Sequence, residues 1–426
     1  MHFSYNMYRF ISTFLGEILI FLSSIISLFS SKPKLIFFQK RSGRNIISTK
    51  TNRKKIWFYA SSLGEAGVSK ILINEIKNLS PGTKFHLSVT TDTAYDAASK
   101  DIFKIADISY SPIDSIISVR HALKSIKPDL ICLIETEIWP NLIVEAGRNK
   151  IPVIILNSRI SNTSLPGYSK IKPLLNETFK YIKEINSASV NDSINLEKLG
   201  ININKIKVTG NAKYDIVSNE QEADIYKKKY LDIFNFPESS PVILCGSTRE
   251  GEEEILIKTY LNLKNKFTDL KLILAPRHLH RINEIKTLLK NSGISFGLRS
   301  EKNSDKIDVA VVDTMGELKN IYAAADIVFT GGSLKNFGGQ NILEPASLKK
   351  PVVFGKYMDN FKEISNELLE NKGGIQTDEQ GLENVFFELL KSKELRIKTG
   401  ENAFKTIKKN RGAARSQALT ALNYIK

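Results

Sequence analysis

The chain has 426 residues with 42% apolar content, enough for two or three domains with full cores. Its 61 Lys plus Arg against 45 Asp plus Glu give a net charge of +16, which favours an anionic partner: a membrane surface, nucleic acid or a phosphorylated substrate. Two cysteines, Cys132 and Cys245, and five histidines with no H-E-x-x-H pattern exclude a disulfide framework and Cys/His zinc spacing, and fit a reducing compartment.

Residues 10–31, FISTFLGEILIFLSSIISLFSS, are 22 residues with one charge, Glu17. A helix of that length is ~33 Å long, enough to cross a hydrocarbon core. Residues 32–55 follow with nine basic groups (Lys32, Lys34, Lys40, Arg41, Arg44, Lys50, Arg53, Lys54 and Lys55) and no acid. The positive-inside rule places this flank and the body after it in the cytoplasm, and anionic lipids would hold it at the surface. The long apolar run without a small-x-small cleavage site argues for an uncleaved anchor over residues 1–31. Glu17 is costly at mid-bilayer, so spanning and lying in the interface both stay open.

From residue 56 strand and helix patterns alternate. Strands are expected at 56–60, 84–91, 129–135, 152–157, 187–191 and 205–209, with helical periods between them: an α/β domain with a parallel, doubly wound sheet over 32–218. The polar, charge-dense stretch 219–240 reads as a linker. Alternation restarts with expected strands at 241–246, 270–275, 308–312, 327–330 and 351–354, giving a second α/β domain over 241–426. Its last helix, 412–425, has no strand after it and is a candidate to pack back on the first domain. Two such domains in tandem place a ligand in the cleft between them, at strand C-termini.

The strand ends carry the candidate chemistry. In the first half they are Glu65 in SLGEAG, where a strand gives way to a helix, Glu135 and Glu137 in ETEIWPN, Asn157 and Arg159, and Lys213 in VTGNAKYD. A carboxylate near a helix N-terminus gains ~0.3–1 kcal/mol from the helix dipole, which alone would explain Glu65. In the second half they are Ser247 and Thr248, Pro276 and Arg277, Met315, Gly316 and Glu317, and the loop TGGSLKNFGGQNILEPA at 330–346. Its glycine pairs, 331–332 and 338–339, would let backbone N–H groups approach an anion, with a helix opening at Asn341. Asn341 and Glu344 share one helix face, where a carboxylate can accept both hydroxyls of a ribose, and Arg277 suits a phosphate. There is no Walker loop, no G-x-G-x-x-G after the first strand and no Asp-x-Asp motif. That combination favours a metal-independent sugar-nucleotide enzyme. Nucleic acid is disfavoured because the basic residues are not interleaved with aromatics in one module.

The blocks SLGEAG, ETEIWPNL, VTGNAKYD, GSTREGEEE, APRH, DTMGEL, GGQNILEPA and KPVVFG run in order between residues 61 and 355. In this order the sequence closely resembles the 3-deoxy-D-manno-octulosonic acid (Kdo) transferases of lipopolysaccharide synthesis. The resemblance implies a GT-B fold, two Rossmann-like domains facing a central cleft. It also implies CMP-Kdo as donor, a lipid A precursor as acceptor, inversion at the anomeric carbon, no metal, and a place on the cytoplasmic face of the inner membrane among anionic lipids. Carried over by motif, Glu65 is the proton acceptor, and Glu135 and Lys213 stabilise the transition state. Pro276, Arg277, Met315, Gly316, Glu317, Asn341, Ile342, Leu343 and Glu344 bind CMP. Lys213 and Arg277 can offset charge on the departing phosphate.

Three positions depart from the family pattern. Gln340 and Ile342 stand where the family often has His and Pro, and Arg249 where it often has His. Two other readings compete: a membrane-anchored GT-B transferase using a UDP-sugar on another lipid, and a membrane-surface binding protein that kept the fold and lost the activity. Because every matched block begins at or after residue 61, removal of residues 1–31 is expected to leave a folded body.

Overall fold

The structure is a computed structural model that describes residues 2–27, 29, 37–215, 220–301 and 306–425. Lys32, Lys34, the end of the expected anchor at residues 30–31 and the edge of the expected linker at residue 219 lie outside them. The chain divides into two compact units, residues 1–215 with 410–426, and residues 216–409.

The first unit holds β1 (Lys55–Ala60), β2 (Lys84–Val89), β3 (Asp107–Tyr110), β4 (Leu130–Ile134), β5 (Val153–Ser158), β6 (Ile182–Ser187) and β7 (Ile206–Val208). They form one parallel sheet in the order β3-β2-β1-β4-β5-β6-β7, so the strand order reverses between β1 and β4. β1 shows why both faces are covered. Ile56, Phe58 and Ala60 join the core on one side, and Trp57 and Tyr59 join the core on the other. A strand buried on both faces reads as a continuous apolar run rather than an alternating one.

The second unit holds β8 (Val242–Thr248), β9 (Lys271–Pro276), β10 (Phe296–Leu298), β11 (Val309–Val311), β12 (Ile327–Thr330), β13 (Val352–Phe354) and β14 (Gly374–Gln376). Its parallel sheet runs β10-β11-β9-β8-β12-β13-β14, with the reversal between β8 and β12. Both units thus have a switch point, the place where ligands bind in open α/β sheets.

Four expectations are corrected. The strand expected at 187–191 lies at Ile182–Ser187, and 189–191 instead open a helix capped by Ser189, whose hydroxyl accepts from the Asp192 N–H at 3.1 Å. The short strands β3, β10 and β14 were not expected. The stretch read as a linker forms a helix, Glu220–Phe234, and its Tyr230, Leu231 and Phe234 are part of the second unit's core. The polar look of that segment is its solvent face. Finally, the basic flank is not uniformly free. Arg41 is buried and donates to the Ser111 carbonyl at 3.0 Å, and Lys55 is buried against Ser48 and Thr49 at 2.8 and 2.7 Å.

The last helix, Ala413–Asn423, packs on the helix Leu63–Leu79 in the first unit, with Ala414, Ala418 and Ala421 in that core. Asp215 fixes its start by accepting from the Gly412 and Ala414 N–H groups at 2.6 and 2.7 Å.

The first helix, His2–Ser27, is stitched to the same unit. Tyr5 donates to Asn141 (3.3 Å) and Tyr8 to Asp114 (2.8 Å), while Ser12 accepts from Asn141 (2.9 Å). Thr13 accepts from the Ile116 N–H (3.2 Å), Glu17 from the Ser115 hydroxyl (2.7 Å), and Ser23 from the Gln39 N–H (3.2 Å). A Cβ at Gly16 would stand 3.1 Å from Ser115 Cβ, so the helix comes in closely there. The body is therefore built with this helix, and its removal would strip polar partners from Asn141, Asp114 and Ser115.

Candidate active site

The loop after β1 places Glu65. Ser62 is the N-cap of the helix Leu63–Leu79, and Glu65, three residues on, closes a capping-box variant. The Ser62 hydroxyl donates to one carboxylate oxygen at 2.7 Å, and the Ser61 N–H donates to the other at 2.6 Å. The helix-start explanation for this residue is thus correct as geometry. It does not account for the electrostatics. Glu65 is only 9% exposed, and its pKa is pushed up to about 7, by burial first and by the Glu137 carboxylate second, against the hydrogen bonds from Ser61 and Ser62.

Across the switch point, β4 ends at Ile134 and delivers Glu135 and Glu137. Glu135 takes a left-handed backbone, φ 56°, and forms an ion pair with Lys213 at 2.8 Å. Non-glycine residues held in that region cost of order 1–3 kcal/mol and cluster at functional sites. Asn157 (φ 55°), at the end of β5, is another such residue; its side chain accepts from the Ala212 N–H at 2.8 Å and so positions the segment that carries Lys213. Glu137 accepts a short hydrogen bond from the Ser61 hydroxyl and one from the Trp139 indole at 2.7 Å. Burial raises its pKa as well, against those two donors, with the Glu135 charge adding to the rise and Arg41 opposing it. Tyr168 faces the same two acids: its phenol is raised by burial, then by Glu137 and Glu65. Ser61 thus bridges Glu65 to Glu137, a link that the sequence reading missed. The pair of acids in ETEIWPN was its only visible trace.

In the second unit the mouths of β8 and β9 are cationic. The Arg249 guanidinium lies 2.5 Å from His278 Nε2 and over the Phe337 ring, 5.3 Å from its centroid. Its Nε is buried without a hydrogen-bond partner among the described residues. Burial and the Arg277 charge lower the pKa of Arg249, and burial, Arg249 and Arg277 lower that of His278. The guanidiniums of Arg249 and Arg277 at this strand mouth can hold an anion. Arg249, one of the departures from the family pattern, is part of it.

The glycine-rich loop differs from the expectation. The amides of Gly332, Ser333 and Leu334 point at an anion, but that anion is the chain's own Glu252, which accepts from them at 2.7, 3.0 and 3.0 Å and from Arg249 N–H at 2.9 Å. Burial raises the pKa of Glu252 and these four amides oppose the rise. Gly331 is required by contact: a Cβ there would sit 2.5 Å from the Ser247 carbonyl oxygen. Glu253 is buried too, accepting from Thr248 at 2.8 Å and from Arg281 at 2.7 Å. These carboxylates brace the strand mouth from within.

The helix expected at Asn341 begins at Leu343 and is only five residues long, Leu343–Ser347. Asn341 accepts from the Leu343 N–H at 3.0 Å and donates to Glu344 at 3.1 Å. Ile342 and Leu343 are core side chains and present only backbone. Pro276 is likewise buried at the end of β9. Met315 is exposed and Gly316 has φ 85°, whereas the Glu317 carboxylate is taken by Arg299 at 2.8 Å and Tyr230 at 3.0 Å. The segment 315–317 therefore offers backbone and the Met315 side chain outward.

Two parallel α/β units, each with polar side chains at its switch point, define a GT-B-type glycosyltransferase fold. A glycosyltransferase structure from Rickettsia africae shares it, with a TM-score of 0.55 over 88% of this chain and all of that one, at 17% identity. The model of the family described as 3-deoxy-D-manno-octulosonic-acid transferase matches residues 36–216. A 3-deoxy-D-manno-octulosonic acid transferase of Haemophilus influenzae is 34% identical over 84% of each chain. A bifunctional glycosyltransferase/methyltransferase of Fusobacterium nucleatum is 35% identical over 93% of this chain, which spans 60% of that relative's length. The chain belongs to the Kdo transferase family.

Proposed function

We propose that the protein transfers Kdo from CMP-Kdo to a hydroxyl of a lipid A precursor, with inversion and without a metal. Family membership supports the sugar transferred. The observation that carries the mechanism is the Glu65 carboxyl, buried and brought to about 7 beside Glu137. A general base works best when its pKa lies near the working pH, and such a step contributes ~10²–10⁴-fold.

In this reading the acceptor oxygen attacks C2 of Kdo as Glu65 takes its proton. The bond from C2 to the phosphate oxygen breaks and CMP leaves with the electron pair. Lys213, held by Glu135, offsets the charge that builds in the transition state. Arg249 and Arg277 hold the phosphate, Asn341 and Glu344 the ribose, and the 315–317 backbone the cytosine. Glu137 touches no reactant; it positions Ser61 and raises the pKa of the base.

The test is to incubate the protein with CMP-Kdo and a tetra-acyl lipid A precursor in EDTA and weigh the lipid product. A mass gain of one or more Kdo units, absent with Glu65→Gln, supports the reading. Product formed only with a UDP-sugar overturns the donor, and unchanged product with Glu65→Gln overturns the base.

A further inference from the structure

The first helix has two faces suited to different surroundings. One face, from Tyr5 to Ser23, is hydrogen-bonded to the first unit along about 27 Å of helix axis. That is close to the ~30 Å thickness of a hydrocarbon core. Crossing a bilayer would require one of two things. Either the helix leaves its partners, placing Glu17 near the middle of the apolar stretch Ser4–Ser27 without Ser115 and Ser118, or it takes Asp114, Asn141 and Ser115 into the hydrocarbon with it. Both strand polar groups where they are most costly.

The other face is apolar apart from Glu17, which lies between Phe14 and Phe21 and turns its carboxylate onto Ser115, Ser118 and Arg44. Phe10 is 72%, Phe14 58% and Phe21 64% exposed. Between them and the helix Ile116–Ile126 of the first unit runs a largely apolar groove of about 730 Å³, lined by the three phenylalanines, Ile116 and Ile117 together with Arg9 and Glu17. Arg44, with its side chain 58% exposed, stands beside Glu17 at 3.9 Å. An apolar face edged by cations, on a chain of net charge +16, matches a surface of anionic headgroups over acyl chains.

We infer that the first helix lies in the plane of an anionic bilayer as a fixed part of the first unit, and does not span it. Phe10, Phe14, Phe21 and Ile117 enter the acyl region, an acyl chain fills the groove, and Arg9 and Arg44 meet headgroup phosphates. Such a helix leaves both its ends on the side of the body. A spanning helix puts its first residues on the far side.

The full chain, carrying a protease-cleavable tag ahead of residue 1, decides between these. In inverted inner-membrane vesicles the tag should be cut, and in sealed spheroplasts it should survive. Cleavage only in spheroplasts overturns the inference. In a second arm the purified chain is pelleted with vesicles of phosphatidylcholine and phosphatidylglycerol. Binding should survive about 1 M salt, where the Debye length is ~3 Å. The variant Phe10→Ser/Phe14→Ser/Phe21→Ser should lose most of that binding with an unchanged melting temperature. A variant that pellets as before, or a chain that ignores vesicles and sediments as a dimer through this face, overturns it.

Discussion

At the mouth of the first sheet the side chains are Glu65, Glu135 and Glu137, with Lys213 as the cation paired to Glu135. At the mouth of the second they are Arg249, Arg277 and His278, and the nearby acids Glu252 and Glu253 are turned inward to brace loops. The two sheets share a topology of parallel strands around a switch point, so the backbone does not explain the contrast. The side chains do. Buried Glu65 and Glu137 hold a proton more tightly, which suits a base. Arg249 and His278 hold one less tightly, and the guanidiniums gain from an anion. The contrast fits the proposed division, with proton transfer on the first unit and anion holding on the second.

The largest break in that contrast should come from Lys213. Lys213→Ala leaves Glu135 without its cation and adds a negative charge to the acidic mouth. Single-turnover transfer should fall by about a hundredfold or more, in line with the loss of a transition-state charge partner. CMP affinity, measured by calorimetry, should stay within about twofold, a bound set by how small a change the titration resolves. A large loss of CMP affinity would move Lys213 to the nucleotide.

Glu344→Ala tests the other side. A lost charge-assisted hydrogen bond is worth ~1.5–3 kcal/mol, so CMP should bind roughly ten- to a hundredfold more weakly. Calorimetry showing unaltered affinity, with the fold intact by circular dichroism, would remove Glu344 from the site.

Glu137→Gln sharpens the comparison through pH. The Glu65 pKa is raised above that of a free carboxyl, and the Glu137 charge is the second cause of the rise, ahead of Glu135. A base must be deprotonated, so kcat/KM should fall as pH drops through about 7. Removing the Glu137 charge should move that acid limb to lower pH, while Ser61 keeps a partner in the amide. A limb that does not move would mean that burial alone sets the pKa.

The smallest expected effect is on stability. A carboxyl whose folded pKa is raised binds its proton more tightly in the folded state, so it favours folding below the unfolded value of 4.5 and loses that advantage as pH rises through about 7. Glu65→Gln should therefore raise the melting temperature more at pH 8 than at pH 5. Equal shifts at both would contradict the raised pKa.

Most of the architecture was legible in the sequence, because strands buried on both faces read as uninterrupted apolar runs bounded by turns. The edge strands β3, β10 and β14 were not: DISY, FGL and GIQ mix apolar residues with polar ones or glycine and lack the apolar run that marks β11 and β13. The helix Glu220–Phe234 was misread because its polar face outweighed Tyr230, Leu231 and Phe234 in the count. At the site, Glu65, Glu135 and Lys213 were visible as polar residues at strand ends. The role of Glu252 was hidden, because an acid in a run of three acids reads as a solvated surface, and only the fold turns it towards the Gly332–Leu334 amides. Ser61 was hidden because its partner Glu137 is distant in sequence and meets it across the switch point.

The central claim is that Glu65 is the base. It is tested most directly by the pH dependence of single-turnover Kdo transfer in wild type and Glu65→Gln, with CMP affinity measured on both. The account predicts a wild-type rate that falls tenfold per pH unit below about 7, a variant slower by ~10²-fold or more and flat in that range, and equal CMP affinities. A variant within threefold of wild type, a bound set by ordinary scatter in single-turnover rates, or one that keeps the same acid limb, would contradict it.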